Sequence, residues 1–194
     1  MNAIPKFNAT SREEYYHYFK RHSAKLSPNT EWLCRMLASW RTGLGALPDA
    51  LGLAQADFTA LHSEFFRKLE IPASAPSGRT ADFSRMLEKD DLIRYLQTRA
   101  AYPERAETAW ITHILVAGCL GDDHLWQDLG LWSRQDLSGL IAYNFPQVAA
   151  ANNQDMKWKK FLYKQLCEAE GIYVCRAPSC DVCVDYPRCF GAED

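Results

Sequence analysis

The sequence predicts an all-α fold: a single helical domain over residues 1–171, followed by an irregular C-terminal cysteine-rich segment, 172–194, packed on it. Three observations carry that reading. Apolar residues recur at spacings of three and four along most of the chain, and no stretch alternates strictly in the manner of a half-buried strand. Serine, proline and glycine punctuate those runs where helices start and stop. Four of the seven cysteines fall between Cys175 and Cys189, whereas Cys34, Cys119 and Cys167 are scattered.

The elements follow in order. Ser11 with Glu14 forms a capping-box pattern, and a short helix runs on to His22. Pro28 and Asn29 mark a turn. From Thr30, Leu33, Leu37 and Trp40 recur at helical spacing until Gly43 and Gly45 end the run. Phe58, Leu61, Phe65 and Leu69 give the next amphipathic face, and the Pro-, Ser- and Gly-containing stretch 72–78 is a loop. Leu92, Tyr95, Leu96 and Arg99 mark a helix that ends near Pro103. Glu104 to Leu120 turns apolar on nearly every side, which places it in the middle of the fold. Leu137, Leu140, Ile141 and Val148 mark a helix kinked or broken at Pro146. Trp158, Leu162, Gln165 and Leu166 share one face of a last helix, which Gly171 terminates.

Composition narrows the function classes. With 47% hydrophobic and 24% charged residues, the 194-residue chain has the make-up of a globular domain able to bury a real core. Its formal net charge of -2 disfavours binding nucleic acid by bulk charge. The first ten residues lack a cationic stretch followed by an apolar run, and Ile111–Leu120 is too short to span a bilayer. The expected compartment is therefore the cytoplasm, with no membrane association, and clustered cysteines there are read as metal ligands or redox thiols before disulfides. No Walker loop, G-x-G-x-x-G, G-x-S-x-G or HExxH is present, so nothing points to a kinase, a dinucleotide enzyme or a hydrolase.

The tail spaces its cysteines as C-x4-C-x2-C-x5-C: Cys175, Cys180, Cys183 and Cys189. Two residues between Cys180 and Cys183 let both sulfurs reach one centre, and the longer arms, stiffened by Pro178 and Pro187, let the chain pass around its other sides. Four thiolates concentrate negative charge that a bound cation or cluster neutralises. An iron–sulfur cluster fits, since C-x4-C-x2-C is the plant-type ferredoxin spacing. Structural zinc also takes four thiolates, but its usual signature has two separated C-x2-C pairs. A disulfide framework is disfavoured by the compartment.

Outside the tail, His124 sits in a polar and aromatic run, 121–128. It reads either as part of a capping turn, with Asp122 or Asp123 as the cap, or as an imidazole near the metal, oriented by a neighbouring carboxylate. His113, inside the apolar helix, reads as a core histidine. Cys34, Cys119 and Cys167 read as small buried hydrophobes, with Cys119 and Cys167 the weaker ligand candidates. Lys157, Lys160 and Lys164 form one helical face, either a plain solvated surface or an anion-attracting patch beside the cysteines.

The cysteine run with Phe190-Gly191, the block from Asp155 to Glu168 and the block from His124 to Leu131 together resemble the nitrogen-fixation NifQ family. The resemblance is dense over 117–191 and shows no departure from the cysteine pattern. It implies a carrier rather than an enzyme. The cargo implied is a molybdenum–iron–sulfur cluster, whose molybdenum is donated for assembly of the nitrogenase iron–molybdenum cofactor. The implied partners are the cofactor scaffold complex and the nitrogenase iron protein, and the implied ligand is molybdate or a molybdenum–sulfur species, without nucleic acid. Cys175, Cys180, Cys183 and Cys189 are the implied ligands, and His124 lies in a family block that assigns it no role. Two alternatives stand beside this. Helical DNA repair glycosylases with a C-terminal iron–sulfur loop share the x2 and x5 gaps but have a longer first gap, and Gly43-Leu-Gly45-Ala-Leu-Pro48 has the wrong order for their hairpin. A zinc-stabilised helical adaptor is the other.

The cysteine spacing generates a first prediction. Cys180→Ala and Cys183→Ala should each abolish most of the iron bound after oxygen-free purification, measured by elemental analysis. Full iron retention in both variants rules out a cluster held by the tail.

Overall fold

The computed structural model describes residues 11–66, 69, 71–74, 76–169, 171 and 189–191. Among them are nine α-helices and no strand. Cys175, Cys180 and Cys183, and with them most of segment 172–194, lie outside the described residues.

Helix α1 (Arg12–Arg21) starts on the expected capping box: the Glu14 amide donates to Ser11 Oγ and the Ser11 amide to Glu14 Oε2, each at 3.2 Å. The turn expected at Pro28 and Asn29 is instead the first turn of α2 (Pro28–Arg41). Ser27 caps it by accepting from the Asn29 amide, and Pro28 occupies the first helical position, where a missing N–H leaves nothing unpaired. Leu33, Met36, Leu37 and Trp40 are buried along α2. The chain then makes a left-handed turn that hydrophobic periodicity does not report, with φ of 52°, 56° and 81° at Ala50, Leu51 and Gly52. The Ala50 amide bonds to the Ala73 carbonyl across it, and a Cβ on Gly52 would collide with Ala117.

Helices α3 (Gln55–Phe65), α4 (Lys89–Gln97) and α5 (Ala106–Gly118) follow, and α3 and α4 both pack on α5. Ile111, Ile114, Leu115 and Val116 of α5 are all buried, so it occupies the centre, as its all-round apolarity requires. Helix α6 (Leu125–Asp128) is a single turn. Helices α7 (Arg134–Asn144) and α8 (Pro146–Ala151) are broken at Phe145, whose φ of −136° and ψ of 64° suit the residue before a proline. Helix α9 (Trp158–Ala169) packs on α4 and buries Trp158, Phe161, Leu162 and Leu166. Among the described residues no helix is long and apolar enough to cross a membrane.

A polar network crosses the core where α2 and α5 begin and α7 ends. Glu107 is only 2% exposed, pairs with Lys25, and accepts from Asn29 Nδ2 at 3.1 Å and Ser27 Oγ at 3.2 Å. Asn29 and Asn144 exchange amide hydrogen bonds of 2.9 and 2.7 Å. Such a network stabilises only while every member is satisfied. Glu107→Ala should therefore lower unfolding free energy by roughly 1–3 kcal/mol, because it leaves the buried Asn29 amide short of an acceptor, whereas Lys25 keeps its ion pair with Glu64. Urea unfolding measures this, and a loss below about 1 kcal/mol would show that the network adds no net stability.

Candidate metal centre

The base of the cysteine tail is built by the turn that enters α9. Asp155 takes a left-handed φ of 53°. Asn152 holds Met156 at both ends, its Oδ1 accepting from the Met156 amide and its Nδ2 donating to the Met156 carbonyl, each at 2.9 Å. Arg134 reaches over from α7 to Asp155 Oδ1 at 2.8 Å and to the Met156 carbonyl at 3.2 Å. Trp158 is buried with its indole N–H on Ser138 Oγ at 3.1 Å, and its ring meets Phe161 edge-on. These ties fix where the next backbone donor points. The Lys157 amide donates to the Cys189 carbonyl at 2.8 Å, so the last cysteine of the tail rests on the start of α9. Cys189 is half-buried, carries a free thiol, and packs with Phe190 against the core.

His124 lies opposite. It is the N-cap residue of α6, and its amide donates to Gln127 Oε1 at 3.2 Å. The cap is thus His124 with Gln127, and Asp122 and Asp123, the caps expected from sequence, are exposed. Asp128, only 3% exposed, pairs with Lys159 of α9, and the same ammonium donates to the Gly121 carbonyl at 2.7 Å. Burial pushes the Asp128 carboxyl above the usual range, with Lys159 and the Asp123 amide opposing. A Cβ on Gly121 would collide with that carboxylate.

Between residues 122–125 and 157–160 lies a cleft of about 280 Å³. It brings His124 into one wall and the lysine-rich start of α9, on which Cys189 rests, into the other. Of the residues singled out by sequence, the structure joins His124, Lys157, Lys160 and Cys189 at this end of the molecule. Among the described residues no group of three or more His, Cys, Asp or Glu side chains is assembled to hold a metal ion. Donors from segment 172–188 would have to complete any such set.

Two of the three scattered cysteines are buried as read, and Cys167 is not. Cys34 and Cys119 are buried, and burial raises both thiols to about 12, so neither is a reactive thiolate at neutral pH. Cys119 nevertheless lies within electrostatic reach of Lys159 and Asp128. Cys167 is half-buried on α9. His113 is not a fully enclosed core histidine. It is half-buried and lines a separate cleft of about 190 Å³ with Asp57, Phe83 and Lys89.

Lys159 escaped the sequence reading, which grouped Lys157, Lys160 and Lys164. Its position carried a signal: it is seven residues from Leu166 and three from Leu162, so it shares the edge of the buried face instead of the solvated one.

Comparison with known proteins covers most of the chain. A family model described as NifQ matches residues 32–191, well upstream of the densest motifs. Protein NifQ of Azotobacter vinelandii is 42% identical over 174 residues, covering 85% of this chain and 89% of that protein. Protein NifQ of Rhodobacter capsulatus is 38% identical, covering 83% and 87%, and Protein NifQ of Klebsiella pneumoniae is 33% identical, covering 84% and 99%. No solved structure matches the chain.

The second cleft generates a pH prediction. Burial, with Lys89 nearby and Asp57 opposing, lowers the His113 pKa below its ordinary 6.5. The stability owed to its neutral form is fully present above the unfolded pKa and is lost as pH falls toward the folded one. Wild type should lose more stability than His113→Gln between about pH 7.5 and about pH 5.5 in urea titrations. An imidazole resonance titrating above 6.5 overturns this.

Proposed function

This chain belongs to the NifQ family, and on that premise we propose that it serves nitrogen fixation as a carrier of a molybdenum–iron–sulfur cluster. Cys175, Cys180, Cys183 and Cys189 hold the cluster, and its molybdenum is donated to the scaffold on which the nitrogenase iron–molybdenum cofactor is assembled. Molybdenum reaches the chain as molybdate or a molybdenum–sulfur species, and the nitrogenase iron protein takes part in delivery. The cluster is cargo, so the chain turns over no substrate and needs no catalytic constellation.

The observation that carries the reading is the seating of Cys189. A backbone hydrogen bond ties it to Lys157 at the entry to α9, and Lys157 and His124 line the same cleft. The donor set suits the cargo: thiolates are ligands for iron and for sulfide-bound molybdenum, and an imidazole can fill a further position on a metal that takes more than four neighbours. Lys157, Lys159 and Lys160 line the cleft, and their positive charge suits a thiolate-rich cargo of net negative charge. A site carried on a segment at the edge of the core also suits release to a partner better than one between core helices.

The deciding experiment is oxygen-free purification with iron, molybdenum, sulfide and zinc measured beside the spin-resonance spectrum. Iron, sulfide and molybdenum together are expected, and zinc alone overturns the reading. Within it, His124→Ala should keep its iron and helicity and lose most of its molybdenum or its transfer to the scaffold. Unchanged molybdenum and unchanged donation in a stably folded variant would remove His124 from the metal site and leave the cysteines in place.

A further inference from the structure

Lys159 is the point where the two walls of the cleft are joined. Its ammonium contacts the Asp128 carboxylate and the Gly121 carbonyl, which flank His124 at either end of the same turn. Asp128 is itself tied back to the Asp123 amide, so the turn closes on the carboxylate that Lys159 neutralises. Gly121 is required for this closure, since any side chain there would occupy the place of the carboxylate. On the other wall, Lys159 is two residues from Lys157, whose amide holds the Cys189 carbonyl.

The geometry points to Lys159 as a positioning residue for the metal site: one ammonium holds both ends of the turn that carries His124 against the helix start on which Cys189 rests. This rests on the reading that His124 and the tail cysteines serve one centre. Energetics favour a geometric task over a stabilising one. A buried ion pair recovers little more than its desolvation cost, and an apolar pair of similar volume is often at least as stable. What an apolar pair cannot do is hold a backbone carbonyl and a carboxylate at fixed places around a histidine.

Lys159→Met removes the charge and keeps the length. In the full-length metal-free protein, amides 121–128 should exchange about tenfold faster or more, while the interior of α5 is unaffected. Reconstituted without oxygen with ferrous iron, sulfide and molybdate, the variant should keep wild-type iron, bind less than about half the molybdenum, and show an altered spin-resonance signature. Lys159→Arg should restore most of both. Lys159→Met strands the Asp128 charge, so Lys159→Met with Asp128→Leu is the control for folding. This double variant should melt near wild type and still lose molybdenum. Wild-type molybdenum, spectrum and exchange in either folded variant overturn the proposal. If the wild-type protein itself takes up no molybdenum, the cargo reading fails, and the exchange measurement alone decides whether Lys159 fixes the turn.

Discussion

A helix apolar on every face must have its ends satisfied by other elements, and α5 is such a helix. Most of its residues are buried, with His113 half-buried, so partners at its ends come largely from the elements packed on it. The charges supplied there follow the helix dipole. Glu107 sits in the first turn, buried and met by Lys25, Ser27 and Asn29. Past the last turn, 3₁₀-type bonds from Leu120 to Ala117 and from Gly121 to Gly118 tighten the chain, and the Lys159 ammonium then takes the Gly121 carbonyl. An anion at the start and a cation at the end is the arrangement the dipole favours. Each end recruits a different part of the chain: α2 and α7 at the start, α6 and α9 at the end.

This division separates a stability end from a site end. At the start of α5 the polar partners are Asn29 of α2 with its cap Ser27, Asn144 at the end of α7, and Lys25 of the loop between α1 and α2. At the other end the partners form the walls of a cleft, and the chain next to it brings in Cys189. Cys119 closes α5 on that side with an inert, buried thiol, and the neighbouring Tyr163 hydroxyl is also pushed up to about 12, first by burial.

Legibility in the sequence followed how local each cause was. The capping box at Ser11 involves residues three apart, and the burial of α5 follows from composition alone, so both were readable. Pro28 was read as a turn because proline is ambiguous without its cap, and Ser27 decides for the helix. The left-handed turn at Ala50 and Leu51 was not readable at all: neither residue favours positive φ, and its partners, Ala73 and Ala117, are distant in sequence. The tail cysteines point to a metal through residue type and spacing alone, because ligand chemistry is local, and Cys175, Cys180 and Cys183 lie outside the described residues. Which helix start would seat Cys189, and that His124 would stand across from it, depended on α9 packing beside α6, which no short window contains.

The same reasoning explains why the family match reaches residue 32 although the motifs concentrate beyond residue 117. A site built from few residues needs a rigid base, and rigidity comes from packing distributed over α2, α5 and α7. Ser39 of α2 donates to the Gly130 carbonyl at 2.6 Å, and the Ala46 amide to the Asp128 carbonyl at 2.7 Å. A side chain on Gly130 would collide with Ser39, and one on Gly45 would crowd the Gln127 and Asp128 carbonyls. The His124 turn is therefore gripped from below by α2 and the loop after it, and from the side by α9. A wall held this firmly presents the His124 turn in one arrangement, which is what a binding site needs from the elements that support it.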